Sequence, residues 1–251
     1  MRYDKISTIT ALAFISGPGM FSWSGNIGSL TISGGATVNY NSGNIGTVNV
    51  SNGVFSVQVG QTVNIATAVN LTGTGQAQIA GTLNVQAGAI FSNNGSITSI
   101  QDNGAINVAG AFNGASPLTI GGGVSGQMTV TGTLNNSGMN ITVASGGQLI
   151  LRDGGAYLNA NSPSYAAGSV LRYDGANPMQ TMGAEFPVGG MPGNVVIERG
   201  VADVVYTGNV ARIMNNATFF TIESGIFEVS NNFTNNGAVN VNNGSVLRLL
   251  A

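Results

Sequence analysis

The sequence predicts an all-β fold: a single-stranded parallel β-helix (β-solenoid) of about 12 coils. Three observations predict it. Short segments alternate between polar and apolar residues with a period of two. Asn-Gly steps separate many of these segments. One strand phrase recurs along the chain at intervals of roughly 20 residues, and no convincing apolar stripe has the spacing of an amphipathic helix.

The alternating segments have the length of short β-strands. In Gly-Thr-Leu-Asn-Val at 81–85, Leu83 and Val85 are predicted to face a core while Thr82 and Asn84 face outward. Related phrases occur at 46–50, 104–108 and 237–241. Further strands are predicted at 29–32, 61–65, 127–130, 139–143, 148–151, 169–173, 194–197, 225–229 and 245–249.

Asn-Gly steps mark the predicted corners. Asn and Gly tolerate a positive φ, which lets the chain turn sharply. The same step forms the type I′ turn of β-hairpins, so an antiparallel sandwich or hairpin array is the alternative fold. Recurrence of one short phrase, without the varied loops of a Greek key, favours the solenoid. The steps lie at 52–53, 94–95, 103–104, 113–114, 236–237 and 243–244.

The clearest internal repeat joins SGNIGSLTI at 24–32 to SGNIGTVNV at 42–50. Farther along the interval grows, as between the phrases that begin at Gly81 and Gly104. At roughly 20 residues per coil the chain makes about 12 coils, stacked over about 60 Å at about 4.8 Å per strand. Outward Thr and Asn are expected to form side-chain ladders along the stack.

The composition excludes much chemistry. The 251 residues include no His, no Cys, 7 Lys plus Arg and 9 Asp plus Glu, which gives a charged fraction of 6% and a net charge of −2. Without His or Cys there is no Ser-His-Asp triad, no Cys nucleophile and no usual zinc, haem or iron-sulfur ligand set. Nucleic acid is not an expected partner, because phosphate binding needs many cationic contacts. We expect no cofactor and no catalytic, cofactor-binding or metal-binding residues.

The charged residues are distributed unevenly. Between Lys5 and Arg152 the only one is Asp102, whereas 12 occur from Arg152 onward. The longest irregular stretch, 161–193, contains four Pro residues, and Pro disfavours central strands. We therefore predict three parts. They are charge-poor solenoid coils over 1–160, with 1–23 a cap or residual leader; an irregular module or insertion over 161–193; and C-terminal solenoid coils over 194–251.

One segment carries a recognisable phrase. It has Gly-Ser-Val-Leu-Arg-Tyr-Asp-Gly at 168–175, Gln-Thr at 180–181, Gly-Ala-Glu-Phe-Pro at 183–187 and Asn-Val-Val-Ile at 194–197. This segment resembles a phrase of large secreted or surface-displayed repeat proteins of Bacteroidota and related bacteria. The resemblance implies an extracellular β-solenoid with an adhesive or structural role, exported by a dedicated secretion system.

Parallel β-helices also act as polysaccharide lyases or hydrolases, which need clustered acids or two carboxylates at a defined separation. Within one strand, their odd offset would place Glu223 and Glu228 on opposite faces. We expect the charges to form structural or surface ion pairs and the protein not to be an enzyme. The candidate carboxylate pairs are Asp153 with Asp174, Glu198 with Asp203 and Glu223 with Glu228, and the nearby cations are Arg152, Arg172, Arg199, Arg212 and Arg248.

Two other kinds of ligand fit the sequence poorly. Calcium needs only oxygen ligands, but the Gly-Gly-x-Gly-x-Asp repeat of calcium-binding solenoids is missing, which leaves at most an incidental ion near Asp102 or Asp174. Outward aromatic side chains could stack on carbohydrate, but their irregular spacing favours packing in the core or at coil edges. These aromatic residues are Trp23, Tyr40, Tyr157, Tyr165, Tyr173 and Tyr206.

The sequence thus predicts a non-enzymatic bacterial β-solenoid, extracellular or on the cell surface, as a segment or subunit of a surface fibre or large exported adhesin. Self-association through the solenoid ends is expected, because uncovered ends carry unpaired backbone groups. A surface glycan or matrix is a further candidate partner. No apolar run reaches the roughly 18 to 20 residues of a membrane-spanning helix, so membrane insertion is not expected. The alternatives are a polysaccharide-binding or polysaccharide-degrading β-helix and a phage tail-fibre or spike segment.

Overall fold

The computed structural model describes residues 9–122, 125–158, 161–176, 180–181, 183–187, 193–206, 212–214, 219–229, 233–235 and 238–249. Every regular element within these ranges is a β-strand. In chain order they are β1 (Ile9–Ile15), β2 (Gly19–Ser24), β3 (Ile27–Ile32), β4 (Ala36–Val50), β5 (Gly53–Thr72), β6 (Gln76–Ile79), β7 (Thr82–Val85), β8 (Ile90–Asn94), β9 (Ile97–Ile100), β10 (Gly104–Val108), β11 (Ala111–Gly114), β12 (Leu118–Ile120), β13 (Gly126–Val130), β14 (Thr133–Asn136), β15 (Ile141–Val143), β16 (Gly147–Arg152), β17 (Ala156–Leu158), β18 (Ser164–Tyr165), β19 (Val170–Asp174), β20 (Gln180–Thr181), β21 (Asn194–Tyr206), β22 (Arg212–Met214), β23 (Phe219–Val229), β24 (Phe233–Asn235), β25 (Ala238–Val241) and β26 (Val246–Leu249).

Strands of successive coils pair in parallel throughout the described chain. The repeats found in the sequence set the register: Ile27 of the first phrase pairs with Ile45 of the second. Farther along, Thr82 and Ala105, which follow the repeated glycines, are paired in the same way. Such stacking confirms the predicted β-solenoid. For the described strands the alternative of an antiparallel sandwich is wrong.

Each regular coil has three sides, and each side belongs to one parallel ladder. The chain runs along side one, side two and side three, and then enters the next coil on side one. The long strand β5 bends round two corners and so contributes to all three sides. One coil has 62–65 on side one, 68–72 on side two and 76–79 on side three, and the next has 82–85, 90–94 and 97–100 at the same positions.

The structure forms about nine regular turns, somewhat fewer than the 12 coils predicted. The prediction assumed roughly 20 residues per coil along the whole chain. On side one the ladder partner of Thr62 is Thr82, which agrees with that assumption. At two later steps the partners lie farther apart in sequence, since Val170 pairs with Asn194 and Asn194 with Phe219, whereas the interval from Phe219 to Ala238 is short again. Coils that place more residues between their strands use more of the chain, which lowers the number of turns.

The hydrophobic core lies inside the coils and consists of columns of inward side chains. Leu83 and Val85 are buried, as their alternation predicted. Aromatic rings fill the interior at several levels: Phe91 and Phe112, one coil apart, stack with ring centroids 4.5 Å apart. Burying a large apolar side chain contributes about 1.5–3 kcal/mol, so these columns are the main source of stability.

At several of the Asn-Gly steps glycine is needed for a reason that the sequence did not predict, whereas Gly244 has the predicted positive φ, 85°. Gly53, Gly95 and Gly104 do not have a positive φ; at 103–104 the positive φ, 62°, belongs to Asn103. A Cβ at Gly53 would lie 2.5 Å from the carbonyl oxygen of Ala36 on the preceding coil. Glycine at these steps therefore makes room for the backbone of the neighbouring coil.

Outward asparagines form the predicted side-chain ladder on side one. Nδ2 of Asn64 donates to Oδ1 of Asn44 at 2.9 Å. Nδ2 of Asn84 donates to Oδ1 of Asn64 at 2.7 Å, and Asn107 continues the ladder onto Asn84 at 2.8 Å. The backbone N–H of Asn44 donates to Oδ1 of Asn26 at the start of the ladder. Each amide keeps further donor and acceptor capacity for water, so a nearly uncharged surface remains polar.

Part of the segment predicted to be irregular, 161–193, belongs to the regular coils. β18 pairs with β15 on side three. β19 pairs with β16 before it and with β21 after it on side one, which confirms the strand predicted at 169–173. The division of the chain into three parts stays a prediction. The predicted cap or leader, 1–23, includes residues 1–8, which lie outside the described residues, and the strands β1 and most of β2.

Candidate functional site: charged side chains on the later coils

Arg152 and Asp174 form a bidentate ion pair between neighbouring coils. They end β16 and β19 and are directly paired in the ladder. Nε and Nη2 of Arg152 donate to the two carboxylate oxygens of Asp174, each at 2.6 Å. The Asp174 side chain is 9% exposed and that of Arg152 is 45% exposed. These hydrogen bonds raise the pKa of the Arg152 guanidinium above its ordinary value, and the two charge-assisted hydrogen bonds tie the two coils together.

Arg172 links three successive coils. Its Nη1 donates to Oε2 of Glu198 on the next coil and lies 3.4 Å from Oε2 of Glu223 on the coil after that. The arginine side chain is more buried than either glutamate, 24% exposed against 50% and 38%. One positive charge therefore bridges two partly solvated carboxylates.

A third ion pair joins Glu228 and Arg248, which are opposed in the ladder of β23 and β26. Nη1 of Arg248 donates to Oε2 of Glu228 at 2.7 Å. Between Glu223 and Glu228 the chain turns at Gly225, whose φ is 88°. The two glutamates consequently lie on different sides of the coil, because the corner interrupts the simple alternation of one straight strand.

The structure brings arginines to carboxylates of neighbouring coils, in keeping with the structural or surface ion pairs expected from the sequence. Oδ1 of Asp153 accepts a hydrogen bond from the backbone N–H of Ala176 at 2.9 Å, while the Asp174 carboxylate faces Arg152. All three arginine side chains described after residue 151 contact a carboxylate: Arg152, Arg172 and Arg248. The side chains of Arg199, Asp203 and Arg212 lie outside the described part of the structure.

A buried carboxylate that the sequence analysis missed lies in the phrase resembling secreted repeat proteins. Glu185 is 1% exposed. Its Oε1 accepts hydrogen bonds from the Tyr173 hydroxyl at 2.9 Å and from the backbone N–H of Gly183 at 2.8 Å. The Tyr165 hydroxyl donates to the Glu185 carbonyl oxygen at 2.8 Å, and Phe186 is fully buried in the core. The available signal was a lone acidic residue directly before a core-type Phe.

The described tyrosines and the tryptophan pack toward the core, as predicted. Tyr40 and Tyr173 are fully buried, and Trp23, Tyr157 and Tyr165 pack against the core while partly exposed. Burial raises the pKa of Tyr40. Burial, and secondly the nearby Glu185 charge, raise the pKa of Tyr165 well above its ordinary value. The side chain of Tyr206 lies outside the described part of the structure.

A polar cavity of about 230 Å³ lies where three coils enter side one. At the edge of this cavity, Ser125 Oγ donates a hydrogen bond to Oδ1 of Asn103 at 2.8 Å. Nearby, Oδ1 of Asp102 accepts a hydrogen bond from the backbone N–H of Gly122 at 3.0 Å. No cluster of three metal-ligating His, Cys, Asp or Glu side chains is found among the described residues. The cavity is lined by Asn103, Gly104, Ser125, Gly126, Gln127 and Gln148.

These features define the protein as a parallel β-solenoid in which polar side chains join neighbouring coils. Comparison of the chain with protein-family models, curated proteins and solved structures found no match. In the part of the chain that is described, no helix has the length and apolar character needed to cross a membrane.

Proposed function

We propose that this protein is a non-enzymatic structural or adhesive β-solenoid of the bacterial surface, a segment or subunit of a fibre or large exported adhesin. The observation that carries the proposal is the direction of its polar contacts. The asparagine ladder and the arginine–carboxylate pairs all run from one coil to the next. Contacts along the stack resist separation of the coils, which suits a structural protein that must remain extended under load.

The extracellular part of the proposal is supported by the resemblance of the 168–197 phrase to secreted repeat proteins of Bacteroidota. In the structure this phrase builds the interior of a coil. Tyr173 and Phe186 are fully buried, and the carboxylate of Glu185 accepts a hydrogen bond from Tyr173. A segment that supplies the buried side chains of one whole coil is a unit that a long solenoid can repeat.

The adhesive part is supported by the outward faces of the earlier coils. Asn, Ser, Thr and Gln present neutral donors and acceptors there, repeated once per coil at about 4.8 Å. Each such contact is weak, but a repeating partner such as a surface glycan or matrix polymer engages many at once.

Two measurements test this proposal. Antibody labelling of intact cells is expected to detect the protein at the surface, and labelling that appears only after lysis would contradict a surface role. Purified protein is expected to give no turnover on a panel of uronic and neutral glycans. Turnover that Asp174→Ala or Glu198→Ala abolishes, but the matched variant Glu228→Ala retains, would establish an enzyme and overturn the proposal.

A second candidate, binding of a neutral polysaccharide, is favoured by the polar cavity on side one. Its amide and hydroxyl groups match the hydroxyls of a neutral sugar and carry no charge. Calorimetric titration with neutral and uronic oligosaccharides tests it. Gln127→Ala and Gln148→Ala are expected to weaken binding of a neutral oligosaccharide about tenfold, whereas the control Gln78→Ala on side three leaves it unchanged. Equal affinity in all three variants would place the ligand elsewhere.

A further inference from the structure

Exposed apolar side chains are concentrated in the first and last described coils, 9–24 and 238–249. Of the ten large apolar side chains exposed in the described chain, seven lie there. Apolar patches confined to particular surfaces mark sites of interaction. We call Leu12, Phe14 and Met20 the head surface, and Val241, Val246, Leu247 and Leu249 the tail surface.

The tail surface continues the hydrophobic core. Phe227 pairs with Leu247 in the ladder, and Val229 pairs with Leu249. Phe227 and Val229 are 1% and 3% exposed, whereas Leu247 and Leu249 are 36% and 70% exposed. The same inward positions change from buried to exposed because one pair has a covering coil and the other does not. A further parallel coil would complete the burial.

The head surface is the matching edge. Ala13 and Ile15 occupy inward positions on side two and are only partly buried against the core. All strands of a ladder run in one direction, so the tail edge of one molecule can pair in parallel with the head edge of another. In that arrangement Leu247 stacks on Ala13, and Leu249 stacks on Ile15.

Outward positions support the same arrangement. Leu12 and Phe14 stand in columns that carry Ser29 and Thr31 on the next coil. At these outward positions apolar side chains gain nothing from the core of their own molecule. Coil 9–24 contains no charged residue, so the side chains of this coil present no charge of their own to an approaching copy.

The tail adds a balanced charge and an unsatisfied polar atom. Arg248 is paired with Glu228 at 2.7 Å, and the head-to-tail arrangement places its guanidinium beside the Phe14 ring, a favourable cation–π contact. Two buried side-chain polar atoms lack a hydrogen-bond partner in the described residues, Trp23 Nε1 and Ser245 Oγ. Both lie in the same two coils, so incomplete hydrogen bonding coincides with incomplete apolar burial.

We propose that the tail surface binds the head surface of a second copy of this chain, so that the parallel ladders continue from one molecule to the next. This inference rests on the proposed function, because the contact extends a single rod into a fibre. A head-to-tail contact uses two different surfaces and does not close, so repeated addition produces filaments.

Sedimentation analysis and negative-stain electron microscopy of the purified 251-residue chain test the contact. The wild type is expected to form filaments as its concentration rises. Phe14→Lys blocks the head and Leu249→Lys blocks the tail, and each is expected to raise the dissociation constant at least 30-fold. The matched control is Val59→Lys, because Val59 is 68% exposed and lies outside both surfaces; it leaves association unchanged. Circular dichroism verifies that each variant is folded.

Mixing the two blocked variants distinguishes a head-to-tail contact from a symmetric one. Phe14→Lys keeps its tail and Leu249→Lys keeps its head, so the mixture is expected to form one-to-one dimers that neither variant forms alone. Dimers of either variant alone, monomeric wild type at all concentrations, or equal loss in Val59→Lys would overturn the proposal. So would a monomeric longer polypeptide in which a further coil of the same chain covers the tail. Surface labelling and turnover do not depend on these variants, so association can fail while the proposed function stands, and the reverse.

Discussion

At the scale of the residue, buried polar groups find specific partners on neighbouring strands and coils. Asn93 is fully buried, yet its Oδ1 accepts a hydrogen bond from Thr98 Oγ1 at 2.9 Å and its Nδ2 donates to the Ser116 carbonyl oxygen at 2.8 Å. Leaving a buried polar group without a partner costs about 1–3 kcal/mol. Asn93 therefore favours the native strand register over shifted registers. A column of apolar side chains alone would discriminate between these registers less strongly.

Removing Arg152 is expected to destabilise the protein more than removing Asp174. Arg152→Ala takes the guanidinium from a carboxylate that is 9% exposed, at a cost of about 3 kcal/mol. Asp174→Ala leaves an arginine that is 45% exposed and can turn to water, at a cost of about 1 kcal/mol. Urea unfolding measures both, with Arg248→Ala as the control in a more exposed pair. Equal losses for Arg152→Ala and Asp174→Ala would contradict the expectation.

Tyr40 and Tyr165 are expected to make the protein sensitive to alkaline pH. Their pKa values are raised in the folded state, chiefly by burial, so the folded protein keeps both protons after the unfolded chain has lost them. The stability that the two protonated tyrosines contribute is complete below about pH 10. Above that pH the free energy of unfolding falls by about 1.4 kcal/mol per pH unit for each tyrosine.

Urea unfolding between pH 8 and pH 11.5 measures this slope. Tyr40→Phe and Tyr165→Phe are each expected to lower stability at neutral pH, because a hydrogen bond is lost, yet to make the alkaline slope shallower. The double variant has the shallowest slope. An unchanged slope in the double variant would assign the alkaline effect to other groups.

At the scale of the element, the alternation of polar and apolar residues determines where the short strands form. Contact with the preceding coil determines which residues fit at the corners. Gly53 adjoins the Ala36 carbonyl oxygen, so a side chain there meets backbone. Gly88 is a corner glycine of the other kind, with φ 81° and nothing within 4 Å of an added Cβ. The first kind of glycine is required for stacking, and the second only for its turn.

Gly53→Ala is therefore expected to destabilise more than Gly88→Ala. The added methyl at Gly53 must push two coils apart, which costs about 2–3 kcal/mol. At Gly88 the only penalty is the left-handed backbone conformation, about 1 kcal/mol. Thermal and urea unfolding measure the difference. Equal destabilisation would mean that the corner at Gly53 relaxes without disturbing the ladder.

At the scale of the whole molecule, the core is a column one coil wide. A coil contacts mainly the coils before and after it, so stability is approximately a sum of terms between neighbours. The inward columns continue from the buried Phe227 to the exposed Leu247 without a change from apolar to polar residues. Among the described residues the last coil contacts a neighbouring coil on one side only, and we expect opening of the purified chain to begin there.

Hydrogen exchange is expected to be faster in the last described coil than in the inner coils. Backbone amides of β26 (Val246–Leu249) should exchange at least 100-fold faster than those of residues 68–72 in the middle of side two, because an edge coil opens without breaking two interfaces. Mass spectrometry at low protein concentration measures both. If copies stack head to tail, protection of β26 rises with concentration while that of 68–72 changes little. Equal exchange in both segments would indicate one cooperative unit.

The parallel ladder was predictable because its information is local and repeated. A period of two decides which residues face inward, and the first internal repeat places Ile27 beside Ile45. When like residues stack at matching positions, the apolar side chains are buried and the asparagine side-chain amides pair in the same register. The sequence pattern therefore predicts the register. The number of turns was overestimated because corner lengths carry no comparable signal.

The charged contacts were not predictable in this way. Arg152 meets Asp174 across 22 residues, Arg172 meets Glu198 across 26, and Arg248 meets Glu228 across 20. Since each coil has its own length, no fixed spacing identifies these partners. Glu185 entered the core for a similar reason: only the closed coil brings the Tyr173 hydroxyl to its carboxylate.

The sequence by itself thus determined the fold class, the inward columns, the asparagine ladder and the scarcity of charge on the earlier coils. The tertiary structure decided which carboxylate each arginine meets, why the corner glycines are required, and where apolar side chains remain uncovered. The physical reason is the same in each case. Alternation acts between adjacent residues, whereas ion pairing, backbone clearance and burial depend on what the neighbouring coil places within a few ångströms.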